Sequence, residues 1–210
     1  MLIRLLALTT LAQAAVWAQN YEIGVTGGYG YAPNLTASRA TASASTGIRP
    51  GGVVGVFGGE DTYRYLSGEA RYLYRSSDLR LSSGSQDVRF DARTHIFSGD
   101  ILFHLRSRES RFRPYLSAGG GVKFLQGMGR ESASQPLPQF AALTATSELI
   151  GTGDAGAGVK FNLRPHLRLR FEVRDYISPA PRKVIAAAPG AAINGWWNDI
   201  LGLAGISYTF

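Results

Sequence analysis

The residues able to do chemistry in this 210-residue chain are few in kind: 22 lysines and arginines, 15 aspartates and glutamates, three histidines and no cysteine. Without a thiol there is no disulfide framework and no thiolate nucleophile or metal ligand. The histidines, His95, His104 and His166, have no pair at ligand spacing, so no metal site is expected. Catalysis by serine needs a histidine within hydrogen-bond reach and a carboxylate behind it. His104 is in phase with Asp100, which allows a His–Asp contact, but the pattern places no serine convincingly beside them. Gly119, Gly120 and Gly121 lack the Lys-Ser/Thr that follows in a phosphate loop and read as small residues in a strand. The chain is therefore expected not to be an enzyme and to need no cofactor.

What the sequence does offer is charge at every second position. Leu167, Leu169, Phe171 and Val173 alternate with Arg168, Arg170, Glu172 and Arg174. Weaker versions place Glu22, Glu69, Arg71, Asp100, His104, Lys123, Asp154 and Lys160 on the polar side of other apolar-alternating runs. Acids and bases on converging strands pair with one another, because an unpaired charge out of water is costly. These twelve residues are the candidate site: a polar network that fills a lumen and stabilises it. The competing expectation is a narrow pore, or a gate whose pairs exchange.

Eight runs of period two position them, at about 21–31, 51–59, 64–75, 91–105, 113–125, 153–163, 167–174 and 199–210. That number and length of alternating segments predicts an all-β chain closed into an eight-stranded antiparallel up-and-down barrel. The connections alternate long and short: 32–50, 60–63, 76–90, 106–112, 126–152, 164–166 and 178–198. Transmembrane barrels have short periplasmic turns and long external loops, so both chain ends fall on the periplasmic side.

Alternation does not say which face points inward. A soluble lipocalin-like barrel would expose the arginines and enclose a ligand with the apolar face; a transmembrane barrel would do the reverse. Strands near or above the roughly 9–11 residues that cross a bilayer at a tilt favour the membrane form. So do aromatic residues near strand ends, at Tyr21, Tyr29, Tyr31, Tyr72, Tyr74, Tyr176, Trp196, Trp197 and Tyr208. Residues 1–18, MLIRLLALTTLAQAAVWA, have the single charge, short apolar run and small-residue end of a cleaved signal peptide. That leaves 19–210 as one barrel domain exported to the cell outer membrane.

The Gly-rich segments 114–124 (PYLSAGGGVKF) and 153–161 (GDAGAGVKF), the leader and the ending 205–210 (GISYTF) resemble the small OmpA-like outer-membrane β-barrels of Gram-negative bacteria. The resemblance covers the whole mature chain and implies insertion by the barrel-assembly machinery, with Ile206, Tyr208 and Phe210 as the assembly signal. The chain is expected to be a monomer among outer-membrane lipid and lipopolysaccharide, with a structural or interaction role; its basic balance would also suit nucleic acid, but export favours phosphorylated lipid or peptidoglycan-side partners instead. OmpA continues into a peptidoglycan-binding domain with no counterpart in these residues, so cell-wall anchoring is not implied.

The long connections carry Arg39, Arg49, Arg80, Arg89, Arg93, Arg130, Arg182 and Lys183 in or beside them, suited to lipopolysaccharide phosphates or simply to solvent. The last long connection is unusually apolar and is expected either to fold over the barrel mouth or to extend its flanking strands. Its external partner cannot be named from sequence.

Overall fold

The computed structural model describes residues 21–131 and 135–210; the expected signal peptide lies outside them. In chain order the strands are β1 (Tyr21–Tyr31), β2 (Leu35–Arg39), β3 (Ala42–Ile48), β4 (Gly51–Glu60), β5 (Leu66–Ser83), β6 (Gln86–His104), β7 (Phe112–Gly127), β8 (Ala141–Leu143), β9 (Ser147–Arg164), β10 (Leu167–Pro179), β11 (Ile185–Ala187), β12 (Ala192–Asn194) and β13 (Trp196–Thr209). Eight of them, β1, β4, β5, β6, β7, β9, β10 and β13, pair antiparallel in that order. The ring closes where β1 meets β13, from Glu22 opposite Thr209 to Tyr31 opposite Ile200. Closure leaves no unpaired edge within the wall, the one way a sheet can stand in hydrocarbon.

The orientation of the wall is unambiguous. On β10, Phe171 and Val173 are 48% and 56% exposed while Arg170 and Arg174 are fully buried. Ile23, Val25, Val54, Val56, Phe97, Ile101, Leu116 and Ile206 are exposed in the same way on the other strands. An outer surface this apolar suits lipid and not water, which rejects the soluble lipocalin-like reading. Two of the aromatic residues assigned to the lipid girdles turn inward instead: Tyr176 and Trp197 are buried. Both sit in phase with the inward positions of their strands, and neither position faces lipid.

The connection 76–90, expected as a loop, is strand. β5 and β6 run on as an 18- and a 19-residue strand, paired as far as Ser83 and Gln86. Only Gly84 and Ser85 turn the chain, with Gly84 at φ 57°, the glycine-first geometry of a type II′ hairpin. The first long connection also contains a hairpin, β2–β3, which adds to the extended part of β5, with β12 beyond β2. β8 and β11 join the two remaining loops. These external elements enclose an apolar core of their own: Ala37, Ala44, Ile48, Leu79, Leu81, Phe90, Leu125, Leu137, Phe140, Leu143, Val184, Ile185 and Trp197 are all buried in one cluster. The last loop thus folds over the barrel mouth, and its flanking strands also pair on as far as Pro179 and Trp196.

Candidate functional site in the lumen

Inside the wall the charged side chains meet in layers. At the periplasmic end, the Glu22 carboxylate accepts from Lys160 Nζ at 2.6 Å, Arg168 at 3.1 Å and Ser207 Oγ at 2.7 Å. One level further in, Glu69 accepts from Arg170 at 2.6 Å and Arg71 at 2.7 Å. Glu172 accepts from Arg71 at 2.6 Å, Arg174 at 3.0 Å and the Tyr115 hydroxyl at 2.8 Å. Arg174 also reaches Asp100 at 2.8 Å and Asp154 at 3.1 Å, so two carboxylates share one guanidinium nitrogen. Lys123 lies 3.6 Å from Asp199. Each multiply bonded carboxylate spreads its charge over two or three separate donors, at least one of them cationic, and such charge-assisted bonds are the stronger kind.

Eleven of the twelve predicted residues therefore join ion pairs, and His104 joins the network by a hydrogen bond. His104 does not contact Asp100, as its phase had suggested. It turns to Ser67, whose Oγ lies 2.7 Å from His104 Nε2. Ser67 in turn donates to Asp61. A serine, a histidine and an aspartate thus touch, but not as a proton relay. The aspartate takes the serine proton, stands 3.9 Å from the same Nε2, and leaves buried Nδ1 with no partner among the described residues. The oxygen is bonded from both sides and Ser67 is buried, so nothing activates it as a nucleophile. The other histidines face outward: His95 bonds Tyr72 at 2.8 Å, and His166 donates through Nδ1 to the Thr209 carbonyl at 2.8 Å.

Three buried charges, Asp61, Arg113 and Asp199, escaped the sequence reading of the network, whose polar face also includes Arg75 on the third alternating run. Asp61 sits in a turn, where alternation has stopped, and receives Arg113 at 2.9 Å on both oxygens. Arg113 is only the second residue of β7. Arg75 and Asp199 pair beneath the external core. With these included, seven acids (Glu22, Asp61, Glu69, Asp100, Asp154, Glu172, Asp199) face eight bases (Arg71, Arg75, Arg113, Lys123, Lys160, Arg168, Arg170, Arg174), which leaves the network nearly neutral.

Packing completes the seal. Phe57 lies under the Arg170 guanidinium at 4.1 Å, a cation–π contact out of water. A second apolar group, Val53, Leu73, Ile96, Tyr176, Leu201 and Leu203, fills the bore between the central network and the Arg75–Asp199 pair. Inward glycines make the room these side chains need: a Cβ on Gly156 would lie 2.8 Å from Arg174 Cγ, and one on Gly158 2.6 Å from Tyr115 Cζ. Eight strands enclose little more than a column of side chains, and here that column is charged, then apolar, then charged, then capped.

A closed antiparallel ring, an apolar outside and a charge-filled bore define a small integral outer-membrane β-barrel protein. Residues 4–181 match the family model described as outer membrane protein beta-barrel domain, and the chain belongs to that family. Among solved structures it is similar to OprG from Pseudomonas aeruginosa, at 12% identity and a TM-score of 0.59 over 91% of this chain and 97% of that one. Neisserial surface protein A gives 14% identity and a TM-score of 0.56 over 90% and 97%. The lipid-bilayer structure of AlkL gives 12% and 0.50 over 92% of each. Identities this low speak for the fold alone. No curated protein sequence matches the chain. Its place is the cell outer membrane, among membrane lipid.

Proposed function

We propose that the protein acts as a sealed structural and interaction barrel of the outer membrane, non-conducting and without catalytic activity, whose external surface does its work. The observation that carries this reading is the double obstruction of the bore: a nearly neutral charge network fills its lower part and a folded apolar cap covers its mouth. The narrow-channel alternative needs a continuous path of water, which buried Arg170, Arg174, Tyr115 and Tyr176 occupy. Single-channel recording in planar bilayers tests it: the expected result is no steady current, and a large steady conductance sinks the reading.

Two finer roles belong to the same reading. Exposed Arg39, Arg89, Arg130, Arg182 and Lys183 on the external loops support contact with lipopolysaccharide phosphates. Replacing them together should sensitise cells to divalent-cation chelators; unchanged sensitivity removes the role. Ile206, Tyr208 and Phe210 face outward at the periplasmic end, where the barrel-assembly machinery could read them. Phe210→Ala should slow insertion without altering the folded barrel, measured as the rate at which heat-modifiable protein appears.

A further inference from the structure

The periplasmic rim bears a charge pattern that neither the bore nor the external loops account for. Its three short turns, 61–65, 105–111 and 165–166, with the adjoining strand end, expose Arg64, Arg106, Arg108, Arg111 and Arg164, set against Glu60 and Glu109 alone among exposed or half-exposed acids there. The rim uses arginine throughout: the chain's three lysines are Lys123, Lys160 and Lys183, two in the bore and one in an external loop. Arg64 lies 5.6 Å over the Tyr65 ring and Arg106 5.6 Å over Phe112. Both rings are about two-fifths exposed, at the level where the apolar belt ends.

The frame beneath these cations is fixed from inside. Arg113, clamped on Asp61, also donates to the carbonyls of Arg64 at 3.3 Å and Arg106 at 3.4 Å. Asn162 holds the same turn through the carbonyls of Ser110 and Arg111, both at 2.9 Å. Buried Arg113 and half-buried Asn162 thus tie down the turn backbone, while the guanidinium groups remain outside. Pre-ordering of this kind lowers the entropy cost of binding.

We propose that this arginine collar binds the phosphodiester headgroups of anionic phospholipids in the periplasmic leaflet and gathers them into an annulus around the barrel. A guanidinium fork matches phosphate oxygens by paired N–H donors, and an aromatic ring beside it suits the boundary between headgroup and acyl chain. A lipid offers both partners at one depth. Carboxylates of the cell wall would engage the arginines but not the rings.

The test uses the full barrel reconstituted in phosphatidylcholine bilayers containing a trace of spin-labelled phosphatidylglycerol or spin-labelled phosphatidylcholine. The wild-type protein should hold phosphatidylglycerol several-fold more strongly than phosphatidylcholine, with the preference falling as salt rises. A variant with Arg64→Gln, Arg106→Gln, Arg108→Gln, Arg111→Gln and Arg164→Gln should fall to parity while keeping heat-modifiable mobility. No preference in the wild type, or the same preference in the collar variant, overturns the proposal. So does collar-dependent binding to isolated peptidoglycan without a lipid preference, or loss of the preference to added inorganic phosphate at constant ionic strength.

Discussion

Below Leu73 and Ile96 the bore is filled by carboxylates and guanidinium groups drawn from the strand interiors, whereas above Arg75 and Asp199 it is covered by aliphatic and aromatic side chains drawn largely from loops. Both fillings exclude water, but they tolerate damage differently. An apolar core can shrink or re-pack around a lost methyl group, so the cost scales with the cavity that remains. A charge network has no such latitude, because each member removed strands another in a site it cannot leave. The lower plug belongs to the wall that carries it, since all its members but Asp61 sit on the barrel strands themselves. The cap rests on elements that pair mostly with one another, β8 with β11 and β12 with β2.

The largest expected effect therefore lies in the network. Arg170→Ala leaves Glu69 and Glu22 short of a partner and removes the cation over Phe57. It should cost about 3–5 kcal/mol in urea unfolding of the whole barrel, followed by loss of heat-modifiable mobility. A cost under about 1 kcal/mol would mean that water reaches these carboxylates, and the sealed lumen would be wrong. The matching change in the cap, Leu143→Ala, should destabilise by about 2–5 kcal/mol at most, and locally: protease should cut the external loops while the barrel keeps its mobility. If the barrel unfolds with the cap, the two regions are one cooperative unit and the contrast between them fails.

How far each region is legible in the sequence follows from the same difference. Network residues such as Arg168, Arg170, Glu172 and Arg174 announce themselves because a strand with one face in lipid and one in a polar bore must alternate strictly. The order of the eight wall strands follows from that and from the rhythm of the connections. The cap has no such signature. Leu79, Leu81, Val88 and Phe90 do alternate, but the intervening residues are small or charged and the hairpin stands outside lipid, so its apolar face is narrow. Phe140, Leu143, Val184 and Ile185 come from loops with no period at all; only their contacts across 40 residues reveal a core. Asp61 is hidden for a third reason: it enters the network from a turn, where its neighbours carry no pattern, and only Arg113 and Ser67 show what it does.

Asp61 also gives the contrast a pH dependence. Burial pushes its carboxyl up, but Lys160, Arg113, the Ser67 hydrogen bond and Arg168 outweigh that and hold it at about 2, below the ordinary aspartate value of 3.8. A depressed folded-state pKa stabilises the fold above the unfolded value, and the contribution is lost as pH falls from about 3.8 toward 2. Its size is on the order of 2 kcal/mol. Wild-type urea midpoints should fall over that window more steeply than those of Asp61→Asn, while protease sensitivity of the cap, which lies at the other end of the molecule, should not separate the two proteins. Parallel curves would take Asp61 out of the network.

The smallest effect is expected where charge pairing is most visible and least confined. Arg80 meets Asp87 at 2.8 Å on the external hairpin, as close as many pairs in the bore, yet its side chain is 40% exposed. Water screens such a pair and both side chains lose rotamer freedom to form it, so Arg80→Gln should change stability by about 0–1 kcal/mol. Set beside Arg170→Ala, the comparison puts a solvent-exposed guanidinium–carboxylate contact against contacts of similar length in the bore. If the two substitutions cost the same, exclusion of water from the bore is not what gives the network its strength.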